Sequence, residues 1–99
     1  MIAQLNPTML AAYVGTQFDV LDDPSRAFFL TLTNVVEHVK TVQQETFSIF
    51  FHGPLDPFML QGMHQLKHKD LGELSMFLVP IGQELDGFRY EAVFNHRIG

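Results

Sequence analysis

His64 and His68 stand four residues apart, with Asp70 and Glu73 just beyond them. On a helix this spacing would put both imidazoles on one face, and a nearby carboxylate would let them hold zinc and activate a water for hydrolysis. The local pattern over 63–68 is strand-like instead. At about 3.3 Å per residue the two α-carbons would then be ~13 Å apart, too far for ligand bonds of about 2 Å. A metal-assisted hydrolase at His64, His68 and Asp70 is therefore the third-ranked expectation, behind ordinary surface histidines around a turn. His38, His52 and His96 are isolated in sequence.

Other reactive groups are no better placed. Ser25, Ser48 and Ser75 lack the flanking glycines of a nucleophile elbow. The acid pairs Asp22-Asp23 and Glu84 with Asp86 fall in expected turns, where solvated carboxylates are the default. The seven glycines are scattered rather than gathered before a helix, as phosphate binding requires. No catalytic residue and no cofactor is called for, and a non-enzyme is expected.

Charge narrows the partners. Six Lys and Arg against eleven Asp and Glu leave a formal charge of −5, too few cations to cluster against nucleic acid or an anionic membrane. The absence of cysteine excludes disulfides and thiolate chemistry and suits a reducing, cytoplasmic setting. The first residues carry no Lys or Arg ahead of an apolar stretch, so no secretory signal is expected. No window approaches the roughly 20 apolar residues of a membrane span. Ninety-nine residues are expected to form one β-rich domain, since chains divide only beyond about 250.

The elements that must position these groups are mostly strands. Asn6-Pro7-Thr8 predicts a short helix, with Asn6 as cap, Pro7 in the first turn and Gly15 beyond its end. Its apolar face, Leu5, Met9, Leu10, Tyr13 and Val14, should act as a lid or plug. Strand-like periodicity follows at 16–21, 27–40, 45–52, 63–68 and 73–81, and 88–95 alternates most cleanly, with Phe88, Tyr90, Ala92 and Phe94 on one face. The two prolines in 53–57 predict an irregular loop, and 69–72 a tight turn with Gly72 left-handed. Asp86-Gly87 reads as a hairpin dipeptide. The expected fold is mainly β: an antiparallel meander of about six strands forming a small barrel or sandwich, with one short N-terminal helix.

One strand carries apolar groups on both sides. Phe77, Val79 and Ile81 alternate with Leu74, Met76 and Leu78, and the runs 28–32 and 47–51 repeat the pattern. Either the lone helix and the 57–63 loop cover the outer surface, or another chain does.

Several segments look familiar together: 47–54, 60–68, the Leu-Gly-Glu-Leu-Ser-Met-Phe-Leu-Val-Pro run from Leu71 to Pro80, and Tyr90-Glu-Ala-Val-Phe-Asn. They resemble a family of short bacterial proteins classified only as a domain of unknown function, closely in the C-terminal half and loosely before it. The resemblance implies a fold, no established activity, and an association of some relatives with phage-tail-like assembly proteins. An aromatic is usual in that family where this chain has His64, which counts against a metal there.

The expected function is a non-enzymatic protein–protein interaction or assembly module, self-associating as a homodimer or docking on an assembly partner through an apolar β face. Phe28, Phe50, Leu74, Met76 and Leu78 are the positions expected to lack cover within the chain. The alternative is a small β-barrel binding an apolar ligand in a Phe-rich interior beside the 53–62 loop.

Overall fold

Asn6 starts the helix by the expected means: its side-chain oxygen accepts the Met9 amide at 2.7 Å. The helix α1 (Pro7–Ala11) is brief, and Gly15 beyond it takes a φ of 91°, open to glycine at little cost. The computed structural model describes residues 5–97. Six strands follow: β1 (Gln17–Val20), β2 (Phe29–Lys40), β3 (Gln44–Gly53), β4 (Gly62–His68), β5 (Gly72–Glu84) and β6 (Gly87–Arg97). They close into a barrel with every neighbouring pair antiparallel. The expected β-barrel with one short helix is thus present.

The strand order around the ring is β1-β2-β3-β6-β5-β4, which departs from a simple meander. Strands β3 and β4 stand on opposite sides of the ring, so the 54–61 connection crosses the barrel mouth. A short hairpin turn could not make that crossing. Loop residue Met59 is consequently buried, and Phe58 lies 4.7 Å from the Phe88 ring between centroids. The peptide Asp56-Pro57 is cis. At the other end α1 performs the same service, with Leu10 fully buried in the core cluster. Helix and loop therefore close the two ends of the barrel and leave its outer wall to the strands themselves.

The interior is filled by the inward set of each strand: Phe18 and Val20, Leu30 and Leu32, Phe47, Ile49 and Phe51, Leu66, then Leu74, Met76 and Leu78, with Tyr90 and Ala92. Alternation delivers these side chains to one face, and closure gives every strand a neighbour on each side, although β2 beyond Leu32 pairs with β3 alone. Bends come from irregular register in β2, at Leu32/Asn34 and Glu37/Val39, and in β5 at Pro80/Gly82. Pro80 has no amide to donate, and its place beside a bulge is where a strand tolerates one.

Candidate functional site

Three of the five expected docking residues lie inside. Leu74, Met76 and Leu78 point into the barrel at 9%, 2% and 0% exposure, which overturns their assignment to an outer face. Both faces of β5 are apolar, so composition does not tell inside from outside. Cross-strand pairing does, because Leu74 sits opposite buried Leu66 while Phe77 sits opposite exposed Met63. Phe50 is on the outer wall and half-buried, with the Arg89 guanidinium carbon 5.7 Å from its ring centre. Phe28 is half-buried at the barrel mouth.

The histidine pair is not brought together either. His68 lies within the barrel beneath Phe18 and Tyr13. Its Nδ1 accepts the backbone amides of Asp70 at 3.0 Å and Leu71 at 3.3 Å, and its Nε2 is 2.9 Å from Thr16 Oγ1. His64 is near the mouth, where Nδ1 meets the Asp22 carboxylate and Nε2 donates to the Leu60 carbonyl at 2.8 Å. All four ring nitrogens are spoken for, and Asp70 is an exposed turn residue. The fold therefore does not gather His64, His68 and Asp70 into one donor set: each histidine is committed to different neighbours.

What the topology does assemble is a mouth. Up-and-down strands bring the ends of β1, β3 and β5 and the starts of β2, β4 and β6 to one end of the barrel, together with the loops 21–28, 54–61 and 85–86. The 21–28 loop is pinned by several bonds. Leu21 N–H donates to the Gln65 carbonyl at 2.8 Å, Gln65 N–H to Asp22 Oδ1 at 3.0 Å, and Arg26 reaches Asp56 at 3.2 Å. Asp23 accepts the Ser25 hydroxyl at 2.6 Å and its amide at 2.9 Å, and these bonds hold its carboxyl below the usual range.

Phe28 stands where three open clefts meet. One of about 320 Å³ lies between Phe28, Phe29, His52 and Pro54. A second of about 440 Å³ runs along Asp19, Leu21 and Pro24, and a third of about 290 Å³ reaches Pro57 to Leu60 and His64. Leu21, Phe29, Leu55, Phe58, Leu60 and Leu85 are exposed around them.

The far wall of the mouth rests on one buried bond, from the Met59 amide to Tyr90 Oη at 2.9 Å. Tyr90→Phe removes that acceptor and strands a buried N–H, an expected loss of about 1–3 kcal/mol. Burial raises the Tyr90 phenol above its ordinary 10.0, with the Met59 bond acting weakly the other way. Both states are neutral below about pH 10, so the contribution is intact there. As pH rises further the unfolded chain ionises first, and the contribution fades. Urea unfolding of both proteins at pH 7 and above pH 10 should therefore show a gap that narrows with alkali; a gap that is absent at pH 7, or widens, contradicts it.

Two constellations escaped the sequence. His52, on the outer face of β3, has Nε2 3.1 Å from Asp86 Oδ1, and its ligand atom, Glu84's and Asp86's lie within 4.8 Å of one another. The hairpin dipeptide was a usable signal, but which strand it would meet depended on the β3–β6 pairing. One imidazole with two carboxylates is a donor set that divalent metals accept, although Glu84 and Asp86 are both exposed. Ser48 lies 2.8 Å from His38 Nε2 and donates to Glu91 Oε2 at 2.7 Å. The hydroxyl hydrogen is directed at the carboxylate rather than the imidazole, and the side chain has no exposed surface.

The profile of one family, described as a domain of unknown function, matches residues 5–94. The chain belongs to the DUF6916 family. The resemblance read from the β4 to β6 motifs is thereby confirmed, and the DUF6916 match takes in the helix, all three mouth loops and every strand except the last residues of β6. No curated protein and no solved structure matches the chain.

Proposed function

We propose that this domain is a non-enzymatic docking module that receives an apolar side chain of a partner protein at the barrel mouth. The observation behind this is the crowd of exposed apolar residues on loops, Leu21, Leu55, Phe58, Leu60 and Leu85, around the half-buried Phe28. Loops are normally polar, and contiguous exposed apolar surface on a soluble domain commonly marks an interaction site. The barrel interior is occupied by the protein's own side chains, so the site on offer is the open, rigidly pinned exterior of the mouth. An aromatic anchor beside shallow clefts is what a partner's side chain can pack against. This reading moves the docking face from the strands to the mouth loops; Met63, Phe77 and Val93 are exposed apolar positions on the outer wall and form the rival surface.

A small apolar ligand is the second reading, supported by the cleft of about 320 Å³ beside Phe28, Phe29 and His52, at the lower end of the usual size. Titration with N-acetylphenylalanine amide, followed by backbone amide shifts, tests the site. Perturbations should gather at residues 21–29 and 52–60 and weaken in the Phe29→Ser, Leu60→Ser variant. Shifts confined to the wall around Met63 and Phe77 would refute the mouth as the docking surface. Sedimentation of the unliganded chain separates a heterologous partner from a second copy: concentration-dependent dimers abolished by the same substitutions would place another copy at the mouth.

A further inference from the structure

Carboxylates outnumber cations at the barrel mouth. Asp22, Asp23, Asp56, Glu84 and Asp86 all stand on the mouth loops and adjoining strand ends. Against them the mouth offers Arg26, which is engaged with Asp56 at 3.2 Å, and Arg89, which lies over Phe50 on the wall. Away from the mouth the lysines are matched by acids: Lys40 is in register with Glu45, Lys67 with Glu73 and Asp19, and Lys69 adjoins Asp70. Asp56 and Asp86 are each 81% exposed, while Asp22 and Asp23, which line two of the clefts, also hold bonds to His64, Gln65 and Ser25.

We infer that the partner presents an aromatic or aliphatic side chain flanked by lysine or arginine. This rests on the docking function proposed above and adds the chemistry of what docks. The apolar group enters beside Phe28 and Phe29, where the clefts accept it, and the flanking cations lie over Glu84 and Asp86 on one side and Asp22 and Asp23 on the other. A partner with acidic flanks would bring like charges together at this rim and is disfavoured. The excess of carboxylates at the mouth also attracts an approaching cationic segment before contact. Because the charges are exposed and the screening length is about 8 Å at physiological salt, the preference should fade as salt is added.

The test is selection of a phage-displayed random dodecapeptide library on the full chain, followed by anisotropy measurements with the enriched peptides made synthetically. The expected peptides carry Phe, Leu or Ile next to Lys or Arg. Their affinity should drop roughly two- to fivefold in the Glu84→Gln, Asp86→Asn variant, the range of exposed ion pairs. It should drop further in Phe29→Ser, Leu60→Ser, and fall with added salt in the parent chain. Enriched peptides that compete at the mouth yet show no basic bias and no salt response overturn the charge inference while leaving the docking function standing. No enrichment, or binding indifferent to the Phe29 and Leu60 substitutions, overturns both. Circular dichroism of each variant, unchanged from the parent, confirms that folding is not what was lost.

Discussion

Replacing Phe18 by alanine is expected to cost about 3–5 kcal/mol, the range for emptying a fully buried aromatic site. Phe18 has no exposed surface, meets Phe51 edge-on at 5.2 Å and lies 4.6 Å from the His68 ring. It belongs to β1, the shortest strand, whose pairing with β2 on one side and β4 on the other closes the barrel. Closed cylinders relax poorly around a lost ring, since each strand is tied on both sides. A domain of this size has only about 5–15 kcal/mol in total, so the variant should melt near ambient temperature or bind dyes as a loosened state. Urea denaturation of the parent and of Phe18→Ala measures the difference, and a change under about 1 kcal/mol would mean that β1 is not what seals the ring.

The second large effect concerns a glycine. A Cβ built on Gly87 would come 2.0 Å from the Gly53 carbonyl oxygen and 2.6 Å from His52 Nε2. Its φ is not in the left-handed region, which among the described glycines is taken by Gly15, Gly62 and Gly72. What Gly87 supplies is room for β3 and the His52 imidazole, and the turn-dipeptide explanation read from the sequence does not apply. Gly87→Ala must push backbone against backbone, so it should cost about 3 kcal/mol, the upper end for overpacking. Gly53→Ala is the control: its closest neighbour is the Leu30 Cδ2 at 2.7 Å, a side chain able to turn aside. Gly87→Ala should therefore destabilise more than Gly53→Ala in parallel thermal melts, and should also shift the His52 ring resonances. Equal losses would show that the approach of β6 to β3 is looser than these distances imply.

How much of this was legible beforehand varies by residue. Asn6, Pro7 and Gly15 announced the helix because capping and chain termination are local events, complete within one turn. Gly72, with a φ of 80°, fulfilled the turn expected of it for the same reason. Phe88, Tyr90, Ala92 and Phe94 alternated cleanly and do face the core, since the other side of β6 is polar apart from Val93. Leu74, Met76 and Leu78 misled because β5 is apolar on both sides, and no pattern within a strand can choose between two equally greasy faces. Phe28 was found by its apolar run, yet its place at a mouth came from loops distant in sequence. His52 looked isolated and gained Asp86 from 34 residues away.

Short-range chemistry in the chain thus determined the β class, the helix and the turns. Those follow from residue type, spacing of two or three, and counting. The tertiary structure alone decided the ring order, the face of β5 turned inward and the gathering of Phe28, the exposed loop leucines and the rim carboxylates at one end. Barrel closure joins strands far apart in sequence, and the free energy that selects one pairing over another comes from the filled interior as a whole, which no single segment carries.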